Sequence, residues 1–235
     1  MTHFYPAFGS GLTLHQLHDS SATGLFLSGS LTAETLLGIR DAGLLAASEY
    51  AAHLRRMRLQ TNLPLIADLQ SGFGNPMNTY YTAQEFERSG ANILLISDQK
   101  SPAHTQGAPA ITSDADFLGK IHAALDARDN PDTQIWGLME SLPTQGIESA
   151  CDKLNWLDRL PISAIAIAHW TLPQLQALAN TPHHKPLIAT WRFDTPLIDG
   201  IDGWLDTGYL EDHAALNIRE TLNTMPLTAT SKEAF

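Results

Sequence analysis

The segment from Leu63 to Asp98 places polar residues directly after two apolar runs. The first run ends at Asp68 and is followed by a glycine turn, Gly72-Phe73-Gly74, and then by a stretch with helical periodicity. The second run, Ile93–Ile96, is also followed at once by polar side chains. A carboxylate at the end of a buried strand can take part in proton transfer or bind a cation. This segment is therefore the first candidate for a catalytic site.

The elements that must position these residues follow a regular pattern along the chain. Short apolar runs alternate with stretches of helical periodicity, which is typical of repeated βα units around a parallel sheet. Eight runs predict strands: His3–Phe8, Gly24–Leu27, Leu63–Ala67, Ile93–Ile96, Ile135–Met139, Ala164–Ala168, Pro186–Thr190 and Gly203–Leu205. Seven stretches predict helices: Thr13–Asp19, Ser48–Gln60, Thr82–Ser89, Asp114–Asp126, Ile147–Leu157, Leu172–Ala179 and Asp212–Thr224. Eight βα units close a barrel, so we predict an α/β fold, a (β/α)8 TIM-type barrel, with a single domain over residues 1–235.

In such a barrel, reactive groups belong on the loops that follow the strands, at the C-terminal mouth. Seven segments take these positions: Ser28-Gly29-Ser30, Asp68 to Gly74, Ser97-Asp98, Leu138 to Glu140, His169-Trp170, Trp191-Arg192 and Asp206. We expect them to face one cavity. The longest irregular connection, Lys100–Asp114, is a candidate for a mobile lid over that cavity. Thr82 and Glu85 form a capping-box pattern, which predicts that a helix begins there.

The composition limits the class of protein. The 235 residues are 43% hydrophobic, enough for one large core, and the formal net charge of −11 argues against a nucleic-acid partner. No apolar run reaches about 18 residues, and the first residues lack the basic stretch of a secretory signal, so we expect a cytoplasmic protein with no membrane partner. Cys151 is the only cysteine, which excludes an internal disulfide, and its helical surroundings favour a buried small side chain over a nucleophile.

Several sequence blocks, taken in order, resemble the phosphoenolpyruvate mutase/isocitrate lyase superfamily. The blocks are Leu27-Ser28-Gly29-Ser30, Leu37-Gly38-Ile39-Arg40-Asp41, Leu63 to Asp68 with Gly72-Phe73-Gly74-Asn75, and Ile96-Ser97-Asp98-Gln99. The stretch from Phe117 to Asp132 and the tail Ser231–Phe235 are similar to the mutase branch. The resemblance covers almost the whole chain. It implies an α/β barrel that binds Mg²⁺ and a small 2-oxo acid or phosphonate, and that makes or breaks a C–C or P–C bond.

The resemblance also implies roles for individual residues. Ser28, Gly29 and Ser30 match the loop whose backbone amides hold a substrate carboxylate, since clustered N–H groups form an anion nest, and Phe26 lies beside them as a further substrate-binding residue. Asp41 and Asp68 match catalytic aspartates. Asp41 lies close to the substrate in relatives, and Asp68 matches the residue that holds the metal directly.

Other positions depart from the family pattern. Gln70 and Ser97 stand where the pattern has an aspartate and a glutamate, which removes about two negative charges, close to the charge of the ion itself. Leu138 replaces an arginine that clamps substrate, Ala103 falls near the place of the lid lysine, and no cysteine occurs in Lys100–Ile111. We therefore expect a site without a cofactor, in which Asp68 alone would hold Mg²⁺ only weakly. Arg192 and then His169 are the candidates for binding the substrate anion in place of the metal.

Two functional classes remain open at this stage. The first is a divergent lyase-type or phosphomutase-type enzyme that acts on a small carboxylate through an enolate-like species. The second is a catalytically silent family member that serves as a binding or assembly subunit. Three polar features also have structural alternatives: Asp41 as a helix cap, His169 as a core histidine, and His183-His184 as a solvated loop. The resemblance suggests a homo-oligomer, a dimer or a tetramer.

Overall fold

The computed structural model describes residues 2–18, 20–105, 110–193 and 195–224. Nine parallel strands form one sheet in these residues: β1 His3–Tyr5, β2 Ala7–Phe8, β3 Leu25–Leu27, β4 Leu65–Asp68, β5 Ile93–Ser97, β6 Gln134–Met139, β7 Ala164–Ile167, β8 Leu187–Thr190 and β9 Gly203–Leu205. The helices are α1 Gly11–Leu17, α2 Gly29–Leu37, α3 Ala47–Arg58, α4 Pro76–Arg88, α5 Asp114–Asp126, α6 Leu142–Leu157, α7 Leu172–Asn180 and α8 Tyr209–Thr224. A 3₁₀ turn, Ala42–Leu44, lies between α2 and α3.

The sheet closes into a barrel through its first two strands. β1 pairs with β9 and β2 pairs with β3, and only Pro6 separates β1 from β2. Pro6 has no N–H to donate, but its carbonyl accepts a 2.9 Å hydrogen bond from the N–H of Phe26. The predicted strand His3–Phe8 is thus one chain segment that closes the barrel, because its first half pairs with β9 and its second half pairs with β3. The prediction of a TIM-type α/β barrel is confirmed.

The apolar residues of the strands pack in two layers, as expected for a parallel sheet that is covered on both faces. Alternate strand residues, such as Phe26, Ile66 and Trp136, fill the inside of the barrel. The residues between them, such as Leu27 and Leu94, pack outward against the helices. In the described residues, no helix is long and apolar enough to cross a membrane.

Two helices begin five or six residues before their predicted starts. α4 begins at Pro76 and not at Thr82: the side-chain oxygen of Asn75 accepts a hydrogen bond from the N–H of Asn78, and the side-chain oxygen of Asn78 accepts one from the N–H of Asn75, both at 3.1 Å. The capping-box prediction for Thr82 is therefore wrong, because Thr82 is buried inside a helix that Asn75 already caps. α6 begins at Leu142, five residues before the predicted start, and passes through a non-helical residue at Gly146 (φ +75°).

α2 was not predicted as a helix at all. Ser28 is its N-cap, with the side-chain oxygen accepting a 3.4 Å hydrogen bond from the N–H of Leu31, and Gly38 ends it in the left-handed conformation. The segment interpreted as an anion-binding loop is therefore a helix N-terminus. The tail Ser231–Phe235 lies outside the described residues.

Candidate active site

A cavity of about 370 Å³ opens at the C-terminal ends of the strands. Its wall combines residues that follow six different strands with residues of the segment after β5. The polar residues in the wall are Ser28, Ser30, Arg40, Asp68, Gln99, His104, Thr105, Glu140, His169, Thr190, Arg192, Thr207 and Tyr209. Phe26, Leu95, Leu138, Ala168 and Leu205 supply the apolar surface. Polar groups that are far apart in the sequence thus converge at one mouth, as the barrel rule predicts.

Asp68 is buried at the end of β4 and held by backbone donors. Its Oδ1 accepts a 2.9 Å hydrogen bond from the N–H of Gln70, and its Oδ2 accepts a 3.0 Å bond from the N–H of Gly29. The N–H of Asp68 donates to the hydroxyl of Tyr50 at 2.8 Å, and this hydroxyl donates to the carbonyl of Leu27 at 2.5 Å. Tyr50 therefore joins the ends of β3 and β4 and fixes the position of Asp68.

Glu140 is a second buried carboxylate, located just after β6. Its Oε2 accepts hydrogen bonds from the hydroxyl of Ser97 and from Nε2 of His104, the latter at 3.0 Å, and its Oε1 lies 3.1 Å from Nε2 of His169. Burial alone would raise the pKa of Glu140, but His104 and the hydrogen bonds from His169 and Ser97 outweigh it and hold the pKa well below the ordinary value. Glu140 is thus an ionised group in a buried position.

The backbone of Glu140 is fixed by an ion pair behind the cavity. Its N–H donates to Oδ1 of Asp98 at 2.8 Å, and Oδ2 of Asp98 accepts from Nζ of Lys153 at 2.7 Å. Asp98 and Lys153 are almost completely buried. A buried charge pair of this kind holds its partners in one arrangement because separating them would leave an uncompensated charge.

His104 reaches the two carboxylates from the connection that we predicted to be a lid. Nδ1 of its ring lies 3.6 Å from Oδ2 of Asp68, and Nε2 lies 3.0 Å from Oε2 of Glu140. Burial lowers the pKa of His104, but the charges of Glu140 and Asp68 outweigh burial and place the pKa well above its ordinary value.

The start of the connection is held against the barrel. The N–H of Lys100 donates to the carbonyl of Ala110 at 2.7 Å, and the N–H of Thr112 donates to the carbonyl of Asp98 at 2.9 Å, which closes the base of the segment. Above this base, the segment packs on the 3₁₀ turn: a Cβ added to Gly43 would lie 2.4 Å from Cγ2 of Thr105. The described part of the connection therefore covers the cavity.

The outer part of the wall carries positive groups. The guanidinium of Arg192 stacks over the ring of Trp170, 5.1 Å from the ring centroid, while remaining exposed to the cavity. Arg40 also borders the cavity but is bound by Glu34 and Asp212. Arg192 is therefore the better placed of the two arginines to bind an anion.

Four non-glycine residues in the loops that follow the strands have a left-handed backbone: Gln70 (φ +50°), Phe73 (φ +56°), His104 (φ +54°) and His169 (φ +54°). Such conformations are unfavourable for residues with a Cβ, and they concentrate at functional sites where the surrounding structure enforces them. Their grouping at one end of the barrel marks this end as the functional one.

The structure brings together most of the residues that the sequence singled out. Phe26, Ser28, Ser30, Asp68, His169 and Arg192 all line the cavity. Gly29 lies behind the wall, where its N–H already binds Asp68. Asp41 is not among the described residues of the wall; its Oδ1 accepts a 3.1 Å hydrogen bond from the N–H of Gly43 and so caps the 3₁₀ turn.

Two functional candidates were missed as individual residues. Glu140 appeared in the sequence only as the end of a mouth segment, and His104 only as part of the lid. Glu140 lies two residues after Leu138, which pairs with Ser97 across β5 and β6, and this register is not visible in the sequence. No local pattern distinguishes His104 from other loop histidines.

The arrangement was compared with the needs of Mg²⁺, which takes six oxygen ligands at about 2.0–2.1 Å. Among the residues that the structure describes, no group of three or more His, Cys, Asp or Glu side chains is arranged to hold a metal ion. The oxygens of Asp68 and Glu140 already accept hydrogen bonds, and Gln70 directs its side-chain amide to the carbonyl of Ala42. In this arrangement the ring of His104 lies between Asp68 and Glu140, so the two carboxylates do not share an open position for Mg²⁺.

The fold and the cavity define an α/β-barrel protein whose polar groups converge at the mouth, as they do in barrel enzymes. The family model described as phosphoenolpyruvate phosphomutase matches residues 10–141. The chain belongs to this family, which confirms the resemblance seen in the sequence.

The chain is similar to two named enzymes in sequence and to a solved structure in fold. It is 35% identical over 158 residues to an oxaloacetate decarboxylase of Rhodopseudomonas palustris strain BisB5, which covers 66% of this chain and 54% of that protein. It is 33% identical over 132 residues to the 2,3-dimethylmalate lyase of Eubacterium barkeri, covering 55% of this chain and 45% of the lyase. The structure of a phosphonopyruvate hydrolase in complex with oxalate and Mg²⁺ matches with a TM-score of 0.83 at 22% identity, covering 94% of this chain and 81% of that one.

The sequence match spans about half the length of these two curated relatives. The hydrolase, at 22% identity, supports the fold alone.

Proposed function

We propose that this protein is an enzyme that acts on a small 2-oxo acid or phosphonate-type carboxylate and breaks or rearranges a C–C or P–C bond through an enolate-like anion. One cavity brings together a helix N-terminus, the guanidinium of Arg192, two buried carboxylates and two histidines, and this observation carries the proposal. The names of the relatives, a decarboxylase, a lyase and a phosphonopyruvate hydrolase, support this substrate class.

The substrate carboxylate would bind where α2 begins. Ser28 and Ser30 line the cavity at the N-terminus of this nine-residue helix, and the backbone amides and dipole of a helix N-terminus favour an anion. The guanidinium of Arg192 would bind the same or a second carboxylate by charge-assisted hydrogen bonds. Both groups line the cavity that Asp68 and Glu140 border from the inside of the barrel.

The bond-breaking step needs stabilisation of the charge that develops on the 2-oxo group. For a substrate with a carboxylate on the next carbon, the C–C bond to this carboxylate breaks, its electron pair forms the enolate, CO₂ leaves, and a proton is returned to the carbon. Arg192 and the histidines supply N–H donors around the cavity where the enolate oxygen becomes negative. His104, whose pKa lies well above its ordinary value because the charges of Glu140 and Asp68 outweigh burial, would supply this proton, and Asp68 beside its ring would pass it to the carbon.

We further propose that the reaction proceeds without a metal cofactor, because the ring of His104 lies between Asp68 and Glu140, the two carboxylates that would otherwise bind Mg²⁺. This expectation concerns the present chain and not its relatives, one of which was solved with Mg²⁺. Turnover measured in the presence of EDTA is the direct check, and its loss in EDTA with recovery on adding Mg²⁺ would overturn the metal-free part of the proposal.

The test of the function is a substrate panel of oxaloacetate, 2,3-dimethylmalate and phosphonopyruvate, with the products followed by NMR. We expect turnover of at least one of them, and a fall in kcat/KM of roughly 10- to 100-fold for Arg192→Ala, since a lost charge-assisted contact costs about 1.5–3 kcal/mol. Arg159→Ala, an exposed arginine after α6, is the matched control and should leave turnover unchanged. A folded protein that turns over none of the panel, or that is indifferent to Arg192→Ala, would contradict the proposal.

A further inference from the structure

The imidazole of His104 fills the space between the only two carboxylates that line the described part of the cavity. Its Nδ1 is 3.6 Å from Asp68 and its Nε2 is 3.0 Å from Glu140, while its side chain is only 18% exposed. The ring therefore lies between the two acidic groups. A divalent cation shared by these two groups would need the volume that the ring occupies.

The position of the ring is set by the segment after β5. The N–H of His104 donates to the side-chain oxygen of Gln99 at 2.8 Å, and the backbone of His104 is in the left-handed region. Backbone strain at a residue with a Cβ persists only where its surroundings impose it. The contact with Gln99 and the backbone conformation of His104 thus place the ring in the cavity.

We propose that His104 takes the place of a divalent cation between Asp68 and Glu140 and completes the site that a bound ion would otherwise complete. The ring occupies the space between the two carboxylates, and its Nε2 donates a hydrogen bond to Glu140. A metal ion in the same place would instead be coordinated by the oxygens of Glu140. This inference rests on the proposed function only in treating the cavity as the substrate site. The competition between ring and ion is independent of any reaction.

The consequence is that removal of the ring creates a cation site. In His104→Ala, two buried carboxylates face a gap of the right chemistry for a hard divalent ion, which binds oxygen ligands. We expect the wild-type protein to bind Mn²⁺ or Mg²⁺ with a dissociation constant above about 1 mM, and the variant to bind at least tenfold more tightly, a difference of about 1.4 kcal/mol.

The measurement is a titration with Mn²⁺ followed by EPR and with Mg²⁺ followed by calorimetry, without substrate. The double variant His104→Ala with Glu140→Gln should lose the gain, because it removes one of the two carboxylates. His122→Ala removes an exposed histidine on α5 and should bind metal as the wild type does. Equal affinity for wild type and His104→Ala, or a gain that survives Glu140→Gln, would overturn the proposal.

A second arm covers the case in which His104→Ala does not fold. Histidine side-chain NMR of the wild-type protein during a Mg²⁺ titration reports whether the ion reaches the ring's position. Unchanged His104 signals up to about 10 mM Mg²⁺ are expected, since a ring that fills the gap keeps its contacts, and saturable displacement of these signals below 1 mM would overturn the proposal. Because neither arm uses turnover, failure of the proposed function would leave these results unaffected.

Discussion

Glu140 restores part of the negative charge that the sequence had shown to be missing. Reading the chain, we expected Asp68 to stand alone because Gln70 and Ser97 replace two acidic residues of the family pattern. In the structure, Ser97 donates its hydroxyl to Glu140 from the neighbouring strand. This contact depends on the register of β5 against β6, in which Ser97 lies opposite Leu138. Register of this kind follows from packing of the whole sheet and cannot be taken from local sequence.

Asp68 and Asp41 were both candidates for catalysis in the sequence, Asp41 with a helix cap as its alternative, and the structure separates them. Asp68 lies in the cavity wall, whereas Asp41 caps the 3₁₀ turn through the N–H of Gly43. We predict that Asp68→Asn reduces kcat by roughly 100-fold or more, the usual scale for losing a proton-transfer group. Asp41→Asn should keep turnover within about threefold, because asparagine caps as well as aspartate does.

The comparison is made by steady-state kinetics with circular dichroism as the check on folding. A loss of turnover in Asp41→Asn that equals the loss in Asp68→Asn would show that Asp41 acts on the substrate and not only on the turn.

At the scale of elements, strands were easier to predict than helix starts. The strands of this barrel are apolar on both faces, so their runs stand out, and every predicted strand is found within a few residues. α2 was missed because its first residues are Gly29 and Ser30, which read as a loop. The reason for Gly29 is tertiary: a Cβ there would lie 2.8 Å from Oδ2 of Asp68. Gly29 disfavours a helix, but it is required at this position because the carboxylate of Asp68 leaves no room for a Cβ.

Tyr50 links α3 to the ends of two strands, and its removal should weaken the whole barrel. In Tyr50→Phe, the N–H of Asp68 and the carbonyl of Leu27 lose their common partner in a fully buried place. We predict a loss of about 1–3 kcal/mol in the free energy of unfolding, the cost of leaving buried polar groups unsatisfied. Denaturant unfolding measures it, and Tyr81→Phe, an exposed tyrosine on α4, should change stability by less than about 0.5 kcal/mol. Equal stabilities of the two variants would show that the hydroxyl of Tyr50 makes no net contribution.

At the opposite end of the barrel, Asp158, which follows α6, binds the segment that precedes β8. Its carboxylate accepts hydrogen bonds from the N–H and Nδ1 of His184, both at 2.8 Å, and from the N–H of Lys185 at 2.9 Å. His183 binds the carbonyl of Thr181 instead. The histidine pair therefore lies before β8, away from the mouth.

The same contacts predict how stability changes with pH. Burial opposes ionisation of Asp158, but the hydrogen bonds from His184 and Lys185 outweigh it and lower its pKa to about 2. A carboxyl whose pKa falls on folding stabilises the native state above its unfolded pKa of about 4, and this contribution is lost as the pH falls toward 2. Asp158→Asn should thus be less stable than wild type at pH 7, and the difference should shrink between pH 4 and pH 2. Urea unfolding across this range is the measurement, and a difference that stays constant with pH would contradict it.

At the scale of the whole molecule, the closed ring of strands was predictable and the assembly state was not. Eight apolar runs and the barrel rule suffice for the architecture, because closure leaves no free strand edge. The number of subunits depends on which surfaces bind each other, and a single chain shows only which surfaces are apolar. Leu36, Leu37 and Ile39 at the end of α2 are each more than 40% exposed, and Leu216 on α8 is 53% exposed.

We predict that the chain forms a homo-oligomer through this surface. Leu36 and Ile39 lie within four residues of Arg40, and the guanidinium of Arg40 binds Asp212 on α8. The exposed apolar residues of α2 and α8 therefore lie on neighbouring elements. Light scattering after gel filtration should give a mass that is a multiple of 25.6 kDa. Leu36→Glu combined with Ile39→Glu should reduce the mass to that of one chain, because two charges cannot be buried in an apolar contact without partners. Leu59→Glu, at a leucine that is 85% exposed just after α3, is the control and should leave the mass unchanged. A wild-type mass of one chain at 50 µM would contradict the prediction, and a mass unaffected by the double variant would place the contact elsewhere.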